Sequence, residues 1–176
     1  YRLLVEVVDD ASRPHAYTSL IREFHSDGII LAGVRPDDHQ LAGLNAEEFP
    51  LVLWGRLRDT HFPSVDVDNV AAARMAVEHL IGLGHTRIAC ITNTAPSAAH
   101  EAADRLHGYQ LALESHAIPY DEQLVRYGDY KERSGFEAMS SLLEEAERPT
   151  AVFVASDVVA LGVLSAVRVA GFTVPN

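Results

Sequence analysis

The sequence predicts an α/β protein of two lobes, each built on a doubly wound parallel sheet. Two observations carry this prediction. Short apolar runs alternate along the chain with segments in which apolar residues recur at helical spacing. The runs are also apolar at consecutive positions, so both of their faces would be buried. Burial of both faces is typical of parallel strands that helices cover on either side.

The predicted elements follow one another along the chain. The apolar runs, which are the predicted strands, lie at 2–8, 28–32, 51–54, 87–92, 124–127 and 151–155. Stripes of apolar residues at helical spacing lie between the later predicted strands, at 70–81, 106–113 and 136–143. The alternation of the two kinds of segment is what a doubly wound sheet requires.

The helix boundaries are also visible in the sequence. Asp68 is the predicted N-cap of the first helix, and Gly82 and Gly84 offer its C-terminal stop. The last predicted helix, 158–170, is apolar nearly all round. Such a helix is either deeply buried or half buried in a contact between subunits.

A polar stretch that contains glycine and proline divides the chain into its two predicted lobes. We expect residues 1–62 to form part of a first lobe, 63–68 to cross between the lobes, and 69–176 to form the second lobe. The sequence contains no internal repeat and no low-complexity tract. The predicted lobes are therefore not copies of one repeated unit.

Composition excludes several classes of protein. The 176 residues carry 14 Lys and Arg against 25 Asp and Glu, a formal net charge of -11, so this segment is not expected to bind nucleic acid by itself. No apolar run reaches the ~18 residues that a membrane-spanning helix needs. One cysteine cannot form an internal disulfide and fits a reducing compartment. We expect a cytoplasmic location and no membrane contact.

Several motifs, in a fixed order, resemble one protein family. The longest is 67–89, VDNVAAARMAVEHLIGLGHTRIA. The others are 27–31 (DGIIL), 49–56 (FPLVLWGR), 105–109 (RLHGY), 128–130 (GDY), 134–136 (SGF), 149–157 (PTAVFVASD) and 160–162 (ALG). Together they resemble the effector-binding core of LacI-type (lactose-repressor) transcription regulators, and they cover almost the whole chain.

The resemblance implies a periplasmic-binding-protein-like fold in which a small molecule, most often a sugar, binds between two lobes. In such a regulator the ligand controls the operator affinity of a homodimer. The family's helix-turn-helix DNA reader, the first strand and helix of its first lobe, and the last strand with its ligand-gripping aspartate are not in this sequence. Operator DNA is therefore expected as a partner only through a segment outside it.

Arg105 is the first candidate ligand-binding residue. The sequence places it at the start of a predicted helix, where a cation faces the positive end of the helix dipole and should find a polar or anionic partner. From the residues alone it is a surface arginine paired with Asp104 or Glu101. The motif match instead implies a guanidinium that holds a ligand hydroxyl or carboxylate.

Tyr130 and Ser156 follow predicted strands, whose carboxyl ends line the crevice of an open α/β lobe. Tyr130 could stack on a sugar face while its hydroxyl makes a polar contact, or it could pack on the following helix. The resemblance places Ser156 in the cleft. Asp157 is expected mainly to cap the last helix.

Asp68 is also a candidate ligand-binding residue, because a carboxylate that caps a helix keeps spare lone pairs that a ligand can bind. Gly55 and Arg56 stand at the tip of a first-lobe strand, where many relatives carry an aspartate in the place of Gly55. The resemblance implies that Arg56 could replace that contact. Trp54 falls within the apolar run and is expected in the core.

Two alternatives to a regulator remain open at this stage. A transport-type sugar-binding protein shares the two-lobed architecture, and upstream sequence would distinguish it by an export signal instead of a DNA reader. An enzyme is less favoured, because no nucleophile, phosphate loop or paired acid and base can be assembled. The histidines do not show the spacing of a metal-binding helix, and no metal or cofactor is predicted.

Overall fold

A computed structural model describes residues 2–7, 26–33, 41, 49–57, 61–93 and 100–175 of the chain. The chain divides into two compact units, Tyr1–Asp66 and Val67–Asn176. The described part of each unit contains one three-stranded sheet, and every strand pair in both sheets is parallel. The predicted fold class, α/β with parallel sheets, is confirmed.

The first unit contains β1 (Ile29–Ala32), β2 (Leu51–Trp54) and β3 (Ser64–Val65), in the order β1-β2-β3. Among its described residues the buried cluster consists of leucines, because alternate side chains of β1 and β2 turn to one face. The buried members are Leu31, Leu41, Leu51 and Leu53.

Three expectations for the first unit need correction or completion. Residues 2–7, within the strand predicted at 2–8, form no strand, and residue 8 lies outside the described residues. An apolar run needs a partner strand to pair with, and the side chains of Leu3, Val5 and Val7 are instead exposed. Trp54 is also not in the core, since 70% of its surface is exposed at the end of β2. The short strand β3 was not predicted, and the lobe boundaries around 63–68 stay a prediction.

The second unit alternates strands and helices without interruption of the pattern. Its elements are α1 (Asn69–Gly82), β4 (Ile88–Asn93), α2 (His100–Ser115), β5 (Val125–Gly128), α3 (Glu132–Leu143), β6 (Ala151–Val154) and α4 (Asp157–Val169), with a 3-10 turn at Glu122–Leu124. The sheet order is β5-β4-β6, so β4 is central. Every residue of β4 is buried, as its unbroken apolar run predicts.

Helices cover this sheet on both faces. Helices α1 and α2 pack on one face, where Val77, Tyr109 and Leu113 contact Ile88 and Cys90 of β4. Helices α3 and α4 pack on the other face against the alternate β4 residues, which include Ile91. We call these the α1/α2 layer and the α3/α4 layer. The sheet and its two layers form the three-layer arrangement of a doubly wound fold.

The first and last helices begin differently. Asp68 caps α1 as predicted, because its Oδ1 accepts a hydrogen bond from the backbone N–H of Ala71 at 2.9 Å. At α4 the N-cap position belongs to Ser156, whose side chain makes no capping bond, and Asp157 is already the first helical residue. The expected cap at Asp157 is therefore wrong by one residue. Its carboxylate still lies in the first turn, where it faces the positive end of the helix dipole.

Glycines allow both helix pairs to approach closely. A Cβ added to Gly162 of α4 would overlap the carbonyl oxygen of Glu132, and one added to Gly135 of α3 would overlap that of Val159. In the α1/α2 layer a Cβ on Gly108 would overlap the carbonyl oxygen of Val70. These three motif glycines therefore serve helix packing, since backbone meets backbone at each crossing.

Candidate functional site

The carboxyl ends of β4, β5 and β6 lie at one edge of the second unit's sheet, because the three strands are parallel. We define the carboxyl edge as Asn93, residues 128–131 and residues 155–156. Loops and helix starts at such an edge form the crevice in which open α/β sheets bind ligands. Two of the predicted site residues, Tyr130 and Ser156, belong to it.

Arg105 reaches the carboxyl edge from α2. Its Nε donates to Asn69 Oδ1 at 2.9 Å, and its Nη1 donates to the carbonyl oxygen of Ala155 at 2.6 Å. The donor in both bonds is the charged guanidinium, so these hydrogen bonds are stronger than bonds between neutral groups. The half-buried side chain thus connects the start of α1 to the end of β6. Helix α2 begins at His100, so Arg105 lies within the helix and not at its start.

The reason for that difference is visible in the sequence. The apolar stripe that predicted α2 begins at residue 106, whereas the observed helix continues upstream through polar residues. Helical hydrogen bonding does not require apolar side chains, so the stripe marks only the packed part of a helix. Arg105 is consequently clear of the helix N-terminus and its dipole.

Tyr130 stands at the carboxyl edge in an uncommon backbone conformation. Its φ is 66°, in the left-handed region, and its N–H donates to Asn93 Oδ1 at 3.3 Å. Burial raises the pKa of the Tyr130 hydroxyl, the negative charge of Glu101 raises it further, and the charge of Arg105 lowers it. The phenol of Tyr130 therefore lies within electrostatic range of both α2 residues.

The loop between β5 and α3 is held by its own polar groups. Ser134 Oγ accepts the N–H of Asp129 at 3.0 Å and donates to the carbonyl oxygen of Lys131 at 2.8 Å. The Asp129 carboxylate pairs with Lys131 Nζ at 3.2 Å, and its polar contacts with Ser134 and Lys131 lower its pKa. A Cβ at Gly128 would lie only 2.8 Å from Ser134 Oγ. These contacts fix the backbone on both sides of Tyr130.

Asp68 and Ser156 are adjacent to the two partners of Arg105. Asp68 precedes Asn69, and Ser156 follows Ala155. Arg105 thus bonds to the residue next to Asp68 and to the residue next to Ser156, and its charge acts on Tyr130. Their role in binding a ligand stays a prediction.

Gly55 and Arg56 belong to the first unit, where they follow β2. The N–H of Gly55 donates to the carbonyl oxygen of Val65 at 2.9 Å, and its φ is 99°. A side chain at this position would be strained, which gives Gly55 a backbone role independent of any ligand. Arg56 is exposed. A ligand contact by either residue stays a prediction.

Sequence reasoning missed two asparagines of this region. Asn69 and Asn93 are both nearly fully buried, with 4% and 5% of their surface exposed. Asn93 could have been noticed, because it is a polar residue directly after an apolar strand run. Asn69 had no such signal, since it follows an ordinary helix cap.

Other kinds of site find no support in the part of the chain that the structure describes. Its residues include no cluster of three metal-ligating side chains, and none of its helices is long and apolar enough to cross a membrane. An open depression of about 710 Å³ lies on the α3/α4 layer and includes none of the predicted site residues. Its lining is Lys131, Glu132, Arg133, Phe136, Glu137 and Ser165.

Comparison with known proteins gives consistent relatives. Residues 77–176 match the family model of the periplasmic binding protein-like domain. The chain is 38% identical over 155 residues to the HTH-type transcriptional regulator CelR of Thermobifida fusca, a match that covers 86% of this chain and 45% of that protein. The chain therefore spans about half the length of this relative.

Solved structures agree with the sequence match. A regulatory protein of the LacI family from Chloroflexus aggregans superposes with a TM-score of 0.82 at 32% identity, over 94% of this chain and 60% of that one. The complex of the regulator CelR with cellobiose superposes with a TM-score of 0.81 at 35% identity, over 95% of this chain and 51% of that one. Both similarities extend over nearly all of the sequence.

Proposed function

Since the chain belongs to the LacI-type branch of the periplasmic binding protein-like domain family, we propose that it is the sugar-sensing core of a DNA-binding transcription regulator. The observation that carries the proposal is the pair of bonds by which Arg105 reaches the carboxyl edge beside Ser156 and Tyr130. Arg105 binds Asn69 and the carbonyl oxygen of Ala155, and it lies within electrostatic range of Tyr130.

The chemistry of these residues suits a ligand rich in hydroxyl groups. An aromatic ring can stack on the face of a sugar, while carboxylate, hydroxyl and guanidinium groups pair with its oxygens. The acidic chain gives a phosphorylated ligand less support. Cellobiose is the ligand in one structural neighbour, which makes a glucose disaccharide the first candidate here.

Sensing requires no catalysis, and we propose none for this chain. A ligand controls a regulator only by binding one of its conformations more tightly than another. The relatives that match are transcription regulators, which favours this function over sugar transport. Operator DNA would be bound by a segment outside this sequence, and a regulator of this kind would act in the cytoplasm, where the DNA is.

A thermal-shift measurement on the full-length protein that contains this chain tests the proposal. The probes are glucose, galactose, xylose, cellobiose, maltose, glucose 6-phosphate and adenosine. A probe at a hundred times its dissociation constant should stabilise the protein by about 2.7 kcal/mol. The stabilisation should disappear in Tyr130→Ala and persist in Tyr120→Ala, a tyrosine with the same exposed fraction of 43%. A panel without any shift would contradict the sugar assignment.

The second copy in the proposed homodimer would contact α4. This helix was expected to be either deeply buried or half buried in a contact between subunits, and its exposed apolar side chains favour the second alternative. Its Val158, Leu161 and Leu164 are 49%, 58% and 38% exposed and share one face. The chain carries a net charge of -11, so an uncharged stripe is a surface on which two copies can meet without repulsion.

Sedimentation of the full-length protein tests this contact. Leu161→Glu places a charge in the middle of the stripe, and we expect it to convert a dimer into a monomer. Met75→Glu is the matched control, because Met75 is 69% exposed on α1, in the other helix layer. A Leu161→Glu protein that sediments as a dimer would refute the assignment of α4.

A further inference from the structure

Asn93 occupies the end of the central strand of the second unit. It is paired in register with Gly128 of β5, and only 5% of its surface is exposed. Its Oδ1 accepts the N–H of Tyr130 at 3.3 Å. This bond holds the residue whose left-handed backbone, with a φ of 66°, is costly for a side chain other than glycine. Asn93 is therefore a positioning residue for Tyr130.

The other half of the Asn93 carboxamide has a different status. Its Nδ2 carries two N–H donors, and no acceptor for them is found among the residues that the structure describes. A buried donor without an acceptor is unfavourable, and native proteins contain few of them. This donor belongs to the carboxyl edge, together with Tyr130.

We infer that Asn93 is a specificity-determining residue of the sugar site, an inference that rests on the function proposed above. One end of its carboxamide fixes Tyr130 through the backbone. The other end donates a hydrogen bond from Nδ2 to one hydroxyl oxygen of the bound sugar. Asn93 thereby links the placement of the aromatic ring to the recognition of a particular hydroxyl group.

The groups next to Asn93 leave a role for an uncharged hydrogen-bond donor at this position. The Arg105 guanidinium is already engaged with Asn69 and with the carbonyl oxygen of Ala155, so its Nε and Nη1 are occupied. The phenol of Tyr130 is kept protonated by its raised pKa and can either donate or accept. A buried carboxamide supplies a directed donor without a charge. Loss of such a donor lowers the affinity only for sugars that carry the hydroxyl to which it donates.

Two variants separate the two ends of the carboxamide. Asn93→Asp keeps the acceptor for the Tyr130 N–H and replaces the Nδ2 donor by an oxygen. Asn93→Ala removes both ends without burying a charge, and it serves if the aspartate variant folds poorly. Binding of glucose, galactose, xylose, cellobiose and maltose is measured by calorimetry on the full-length protein. For each sugar that binds, the series of its monodeoxy analogues is measured as well.

The expected result is a loss of about tenfold or more in affinity for the parent sugar in both variants, since a lost hydrogen bond to a buried donor has that order of effect. In Asn93→Asp the loss should vanish for one monodeoxy analogue, the one that lacks the hydroxyl bound by Nδ2. In Asn93→Ala, which also removes the acceptor of the Tyr130 N–H, the loss should be smallest for that same analogue. A purely structural role would weaken the parent sugar and all of its analogues alike. That uniform loss, or unchanged binding, would overturn the inference and leave the sensor function in place.

Absence of binding by every sugar of the panel would be a different failure. It would overturn the proposed sugar-sensing function, and with it the inference about Asn93. The thermal-shift panel identifies this case before any Asn93 variant is made. The two failures are thus distinguishable by the behaviour of the unaltered protein.

Discussion

The two helix layers of the second unit are attached to the same sheet by different means. In the α1/α2 layer, Tyr109 donates from its buried hydroxyl to the carbonyl oxygen of Ile88 at 2.8 Å, and Thr92 Oγ1 donates to that of Ala102 at 3.3 Å. In the α3/α4 layer the buried contacts are apolar, and Arg126 of β5 meets Ser141 of α3 only at a half-buried margin.

The difference predicts how each layer responds to substitution. Directional bonds orient the α1/α2 layer, so loss of a polar group or a change of pH should affect it most. Shape orients the α3/α4 layer, whose two glycines allow the helix backbones to touch, so added volume should affect it most.

The largest effect is expected at the α3/α4 crossing. Gly162→Ala should destabilise the fold by about 3 kcal/mol, because its new Cβ meets backbone atoms of α3 that no rotamer change can move. Gly82→Ala is the control, since nothing lies within 4 Å of a Cβ at this helical position. It should be neutral or stabilising by up to about 1 kcal/mol. Urea unfolding measures both, and equal effects would refute the packing explanation.

The next effect is a pH dependence in the α1/α2 layer. Burial raises the pKa of the Cys90 thiol from 9.0 to about 12. The unfolded chain loses this proton near pH 9 and the folded one only near pH 12, so stability is lost as the pH rises through that range. Between about pH 9.5 and 10.5 the unaltered protein should lose about 1.4 kcal/mol more than Cys90→Ala does. Parallel stability curves for the two proteins would contradict the burial of the thiol.

A smaller effect is expected at Tyr109. Tyr109→Phe keeps the ring and leaves the carbonyl oxygen of Ile88 without its partner, which should cost about 1–2 kcal/mol. Tyr120→Phe removes a hydroxyl from the neighbouring ring, whose centroid lies 6.3 Å away, and this ring is partly exposed. The control should change stability by less than about 0.5 kcal/mol. Comparable losses in the two variants would show that the buried hydrogen bond of Tyr109 adds no more stability than the partly exposed hydroxyl of Tyr120 does.

The smallest effect compares the helix starts of the two layers. Asp68→Ala removes a capping bond from α1 and should destabilise the protein by about 1 kcal/mol. Ser156→Ala changes a cap residue of α4 whose side chain makes no capping bond, so about 0.5 kcal/mol or less is expected. Thermal unfolding measures the loss of stability in both variants. A larger loss in Ser156→Ala than in Asp68→Ala would contradict this prediction.

Much of the second unit was predictable from the sequence, because its signals are dense and local. The apolar run of β4, the stripe of α1 and the cap at Asp68 each report a structure made by neighbouring residues. The strand expected at 2–8 failed for the opposite reason. A strand depends on a partner distant in sequence, and an apolar run contains no information about that partner.

The positions of some candidate site residues could be predicted from the sequence, but the contacts of the region could not. Tyr130 and Ser156 follow strands, which sequence alone reveals. The bonds of Arg105 to Asn69 and to Ala155 span 36 and 50 positions along the chain, and no local pattern encodes them. The left-handed backbone of Tyr130 was equally hidden, since no glycine or asparagine marks the position.

The bond from Arg105 to Ala155 ends on a main-chain oxygen, and this choice of acceptor has an evolutionary consequence. Every amino acid presents the same carbonyl group, so the attachment survives exchange of the side chains at positions 155 and 156. The side chain at position 156 can therefore change while the anchor beside it is kept. A library that randomises Ser156 and keeps Arg105 constant would test the proposed role of Ser156 in ligand preference without removing this anchor.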